Sequence, residues 1–215
     1  MSFIDLSLNI YDGGPAYPGD PECRVIPYYT VAKDGCNVSA VSFSSHNATH
    51  LDAPRHFLEA PDAAAISDLP LERLCGRARV VDCSFVPADE PITAAIFEKH
   101  FSDAFYPGAI VLIQTGWDKM YGTDAYYCGF PYIGSDAARW IADRGISMLG
   151  LDLPTPNRYD STLVHRTLLG SDVLICEGLA NLCKLPREKD FEFFAFPLKF
   201  TGLDGSPVRA VARVE

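Results

Sequence analysis

The sequence predicts an α/β fold, a mixed sheet covered by helices, and three observations point to it. Strand-like runs dominate the first third of the chain, strands and helical segments alternate after it, and several strand runs are apolar without interruption. A strand covered on one face alternates apolar and polar residues, whereas one covered on both faces is apolar throughout. Ala109-Ile110-Val111-Leu112-Ile113 is of the second kind, so material is expected on both sides of it.

In chain order, strands are expected at 3–8, 23–31, 38–44, 79–85, 109–114, 147–151, 172–176 and 191–196. A helix is expected over 93–100, ending on His100, where a cation suits the helix dipole. Ser135 is read as the N-cap of a second helix, in which Ala137, Trp140 and Ile141 recur at helical spacing before Gly145 stops it. Asp160 or Ser161 caps a third, which runs to Leu169 and ends at Gly170. Prolines and glycines are spread along the chain rather than gathered in a linker, and no repeat or charge block interrupts it. Residues 1–215 are therefore read as a single domain, long enough for a sizeable core.

Hydrophobic residues make up 48% of the chain and charged residues 21%, the balance of an ordinary soluble protein. The formal net charge of -10 repels nucleic acid and anionic lipid, and no cluster of Lys and Arg overrides it, so neither partner is expected. No apolar stretch reaches the roughly 20 residues that span a bilayer. The start, MSFIDLSLNI, lacks the basic residues and long apolar run of a signal peptide. The 7 cysteines, with no C-x-x-C pair, are expected to be reduced and mostly buried, and the location cytoplasmic.

The chemistry gathers at residues 46–56. His46, His50 and His56 fall within eleven residues with Asp52 among them, and all four are even-numbered, so an extended chain would project them from one face. A helix would also bring His46 and His50 together, but Pro54 biases Ala53 away from helix and no apolar stripe accompanies them. An extended or irregular strand end fits better. A lone histidine is more often a satisfied structural residue than a ligand. Three with an aspartate, buried together without a metal, would leave many polar atoms to satisfy. Imidazoles and a carboxylate suit zinc, manganese or iron, and His46, His50 and Asp52 leave coordination positions open, as catalytic sites do. No G-x-S-x-G elbow, P-loop or G-x-G-x-x-G stretch occurs, which excludes the elbow-type serine hydrolase and nucleotide-binding classes.

His46-Asn47-Ala48-Thr49-His50-Leu51-Asp52-Ala53-Pro54-Arg55-His56 resembles the H-x-G-T-H-x-D-x-P-x-H signature of the cyclase-like metal hydrolases, a family that includes bacterial kynurenine formamidase and isatin hydrolase. Only the glycine departs, as Ala48. Tyr17-Pro18-Gly19-Asp20 resembles the family's aromatic-Pro-Gly-Asp turn, and Leu112 to Trp117 its central strand and loop. His165 and Glu177, twelve residues apart, resemble its later histidine and glutamate, and the stretches 197–199 and 205–210 its C-terminal motif. By residue type alone, His165 is a helix residue, Glu177 a strand-end carboxylate and Cys176 a buried thiol of opposite parity. His100 has no link to the cluster.

The resemblance implies a swivelling β/β/α domain assembled as a homodimer or homotetramer. It implies a first divalent cation on His46, His50 and Asp52 and a second on Asp52, His165 and Glu177. Two Zn2+ per chain are expected, with Mn2+ or Fe2+ fitting the same ligands. His56 would be the proton donor and acceptor, and Tyr17, where kynurenine formamidases typically carry tryptophan, would lie against a small-molecule substrate. The implied activity is cleavage of a C–N amide bond, in a linear aryl formamide or a cyclic amide, by a metal-activated hydroxide with His56 as proton shuttle. N-formylkynurenine is the specific candidate. A lactone or other cyclic ester is the alternative substrate, and a catalytically inactive metal- or ligand-binding module the alternative of another class; retention of His56 counts against the module.

Overall fold

The computed structural model describes residues 1–59 and 63–215. Among the described residues the strands are β1 (Ser2–Asp5), β2 (Arg24–Tyr29), β3 (Val38–Ser42), β4 (His50–Asp52), β5 (Cys75–Asp82), β6 (Pro91–Ile92), β7 (Ile110–Gln114), β8 (Tyr132–Ile133), β9 (Met148–Leu151), β10 (Leu174–Glu177), β11 (Phe191–Phe194), β12 (Gly205–Pro207) and β13 (Val211–Val214). The helices are α1 (Val31–Asp34), α2 (Ala94–His100), α3 (Ser135–Asp143) and α4 (Ser161–Gly170).

Nine strands form one mixed sheet in the order β1-β13-β11-β5-β7-β9-β10-β4-β12. Its centre, β5-β7-β9-β10, is parallel, and both flanks are antiparallel. Parallel neighbours need a crossover, and α2, α3 and α4 supply the three in turn. Strand order advances in one direction through the centre, so right-handed crossovers place all three helices on the same face. There Val111, Ile113, Leu149, Leu151 and Ile175 pack with Phe97 of α2, Ile141 of α3 and Leu168 of α4.

The other face is covered differently from the expectation. Ile110, Leu112, Met148, Leu174 and Cys176 pack there with Leu51 of β4 and Phe193 of β11, which stand on opposite flanks of the same sheet. The sheet curls so that its antiparallel flanks and neighbouring loops close this second core, and the helices cover one face only. Apolar periodicity in β7 reports that both faces are covered and says nothing of what covers them.

Three local expectations change. The strands expected at 23–31 and 38–44 form a separate hairpin, β2-β3, with Ile26, Tyr28 and Val41 exposed, and Val31 opens α1 instead. Ser135 is the first residue of α3 and Gly134 its cap, whereas α4 is capped by Asp160 and ends at Gly170 as expected. The cysteines are all free, but Cys36, Cys128 and Cys183 are exposed and only Cys23, Cys83 and Cys176 buried. No described helix is long and apolar enough to cross a membrane.

Candidate metal centre

Strand β4 lies between β10 and β12, antiparallel to both, with His50 opposite Glu177 and Pro207 and Asp52 opposite Ile175 and Gly205. Directly opposed residues share a face of the sheet. His50, Asp52 and Glu177 therefore point together, while Leu51 and its opposite residue Cys176 point into the second core. Strand parity accounts for His50 and Asp52 only. His46 lies in the turn before β4, where Ala48 takes a left-handed φ of 55°, and His56 ends the 3-10 turn Pro54–His56 after it. The two turns bring His46 and His56 face to face, ring centroids 3.8 Å apart. His165 comes from α4, with its Nε2 3.1 Å from Glu177 Oε1.

Each of His46, His50 and His165 has one nitrogen turned to the carboxylates and the other held from behind by an oxygen. His50 Nε2 is 3.3 Å from Glu177 Oε2 and 3.5 Å from Asp52 Oδ1, with Nδ1 3.0 Å from the Ala48 carbonyl. His165 Nε2 is also 3.7 Å from Asp52 Oδ2, with Nδ1 2.7 Å from the Ser161 carbonyl. His46 Nδ1 is 2.8 Å from Asp52 Oδ1, with Nε2 2.7 Å from Asp204 Oδ2. An acceptor behind one ring nitrogen fixes the tautomer and leaves the other nitrogen available to a metal. Asp204, which precedes β12, is the one member of this arrangement that sequence reasoning missed; no periodicity or spacing singles it out.

The residues fit a divalent cation. Asp52 is fully buried, and its Oδ2 has no hydrogen-bond partner, which is costly unless a cation sits against it. Among the described residues, His50, Asp52 and Glu177 can bring one donor atom each within 4.8 Å of one another, and so can His46, Asp52 and His56. The electrostatics agree. Burial would raise the Asp52 carboxyl, but the His46 hydrogen bond and the charges of His56, His46 and His50 hold it well below the usual range. Burial opposes charge on His46, yet Asp204 and Asp52 outweigh it and lift the ring to about 10. His165 is raised as well, Glu177 and Asp52 overcoming its burial. The carboxylates make a site that favours positive charge.

The centre opens on a cavity of about 350 Å³ whose walls include Tyr17, Asp20, Ser44, His56, Phe57 and Thr155. That volume suits a small molecule. Tyr17 presents its ring at this wall, edge-on to Tyr127 at 5.6 Å. His100 lies apart, against Phe85 and Phe101.

Residues 4–158 match the family model described as Cyclase. The chain belongs to the cyclase family. Cyclase-family relatives are similar along its whole length. A kynurenine formamidase of Salinibacter ruber is 31% identical, covering 99% of this chain and 98% of its own. That of Bordetella petrii is 30% identical over 97% and 96%. Among solved structures, one described as a potential metal-dependent hydrolase with cyclase activity superposes with a TM-score of 0.81 at 28% identity, covering 100% of this chain and 99% of its own. An isatin hydrolase bound to the product analogue thioisatinate gives 0.89 at 24% identity, covering 99% and 92%, and attests the cyclase-family fold.

Proposed function

We propose that this cyclase-family protein is a metal-dependent hydrolase of C–N amide bonds, acting on aryl formamides, with N-formylkynurenine as the first candidate. The observation that carries the proposal is the partnerless, buried Oδ2 of Asp52, on a carboxylate flanked by His50 and His165 and grouped with Glu177. The kynurenine formamidases named above support the choice of substrate class.

His46, His50 and Asp52 would hold one cation, and Asp52, His165 and Glu177 a second; zinc suits the set, and manganese or iron would fit it. When bound, such cations supply a Lewis acid and make water acidic enough to yield a nucleophile near neutral pH. The chain's own residues do the rest. His56, with 26% of its side chain exposed, stacks on His46 and lines the cavity, where it can take a proton and pass it on. An amine leaves readily only when protonated, so the proton that His56 delivers belongs on the departing nitrogen. Tyr17 offers an aromatic face at the same wall for the aryl ring.

The test is hydrolysis of N-formylkynurenine by the purified, zinc-loaded protein with and without a chelator. Turnover that the chelator abolishes and added metal restores is the expected result. Chelator-resistant turnover, or no cleavage of aryl formamides by protein shown to contain metal, would overturn the proposal.

A further inference from the structure

We infer that Asp204 is a positioning residue that sets two imidazoles at once, the metal-facing His46 and the proton-carrying His56; this rests on the function proposed above. Asp204 Oδ2 is 2.7 Å from His46 Nε2 and 3.6 Å from His56 Nδ1, while its Oδ1 accepts a hydrogen bond from Ser45 Oγ at 3.2 Å. Its main chain is fastened too, since the Asp204 carbonyl accepts the Ala53 N–H at 2.9 Å, at the end of β4.

The outer nitrogens of His50 and His165 donate to main-chain carbonyls of their own segments. His46 depends on a side chain 158 residues away. With a cation taking Nδ1 beside Asp52, the one remaining proton of His46 would be held on Nε2, where Asp204 accepts it. Without Asp204, either tautomer and either ring orientation becomes available. His56 is stacked on His46, with ring planes 25° apart, so a rotation of His46 displaces the proton carrier as well. The neighbouring residue shows how closely this segment is fitted to the ring. A Cβ at Gly205 would lie 2.7 Å from His46 Cε1 and 3.0 Å from the Leu51 carbonyl, so glycine is what lets the chain just after Asp204 approach.

The test compares Asp204→Ala and Asp204→Asn with the unaltered protein, by competitive zinc titration against a fluorescent chelator and by kcat and KM on N-formylkynurenine at saturating zinc. Asp204→Ala should bind zinc about 10- to 100-fold more weakly. Its kcat should fall by at least about tenfold with KM little changed, because the ring that is lost from register carries protons rather than substrate. Asp204→Asn keeps an acceptor oxygen and should recover most of the zinc affinity. Unfolding midpoints of both variants should stay near that of the unaltered protein. Unchanged zinc affinity and kcat in Asp204→Ala would overturn the inference, as would equal zinc losses in both folded variants. Should the unaltered protein cleave no formamide, the function proposed above fails, and the zinc titration alone decides whether Asp204 sets His46.

Discussion

His56 reaches the cavity while Asp52 is sealed from solvent, so their substitutions should have different consequences. His56→Ala should lower kcat by about 10²- to 10⁴-fold, the usual worth of a positioned acid or base, with metal content unchanged by elemental analysis. Asp52→Ala removes the carboxylate common to both candidate cation positions and should abolish metal content and turnover together. Near-full activity in His56→Ala would refute the proton-shuttle role. The same two residues show how far sequence reaches into the site. Even spacing correctly put His50 and Asp52 on one face because β4 is extended between them. His46 and His56 reach the same site as expected, but from turns rather than by strand parity, and spacing says nothing of Asp204, whose contact with His46 spans most of the chain.

The turn that enters β4 depends on close contact with the end of β10. Ala48 holds φ 55°, Thr49 Oγ1 accepts the Leu8 N–H at 2.8 Å and donates to the Gly178 carbonyl, and Gly178 itself holds φ 62°. A Cβ on Gly178 would fall 2.3 Å from the Ala48 carbonyl oxygen. Gly178→Ala should therefore combine the left-handed penalty of about 1–2 kcal/mol with an overpacking cost of about 1–3 kcal/mol. Gly145, at φ 64° with nothing near its missing Cβ, should show the backbone penalty alone when changed to Ala. Urea unfolding of the two variants checks this, and equal midpoints would show that the contact with Ala48 is not felt. Among the elements, β7 was legible because the unbroken apolar run from Ala109 to Ile113 fits a strand covered on both faces. β4 and β12, three residues each, are too short to carry an apolar pattern that marks them as strands, and their pairing comes from residues far along the chain.

Over the molecule as a whole, one buried acid away from the proposed cation ligands makes stability depend on pH. Asp152 follows β9, and its carboxylate accepts hydrogen bonds from Thr115 N and Oγ1 and from Gly116 N. Burial pushes it from 3.8 up to about 7, against the pull of those hydrogen bonds. Between these values the unfolded chain has released the proton and the folded chain retains it, so this group favours folding at low pH and loses that effect as pH rises toward 7. Asp152→Asn should flatten that part of the profile, measured as the slope of unfolding free energy against pH relative to the unaltered protein. An unchanged slope would show that Asp152 does not retain its proton in the fold. The α/β class was readable from the sequence at this level, since alternation of strands and helices survives ragged boundaries. The one-sided helical cover was not, because curling of a sheet leaves no local pattern.

The place of β4 between β10 and β12 also bears on how the protein is made. His46, His50, Asp52 and His56 leave the ribosome early, whereas Glu177, Asp204 and both partner strands of β4 leave it late. Until those partners arrive, no neighbouring strand holds the histidine-rich segment in its final geometry. Selection among cations by shape would therefore be a property of the finished fold rather than of the emerging segment.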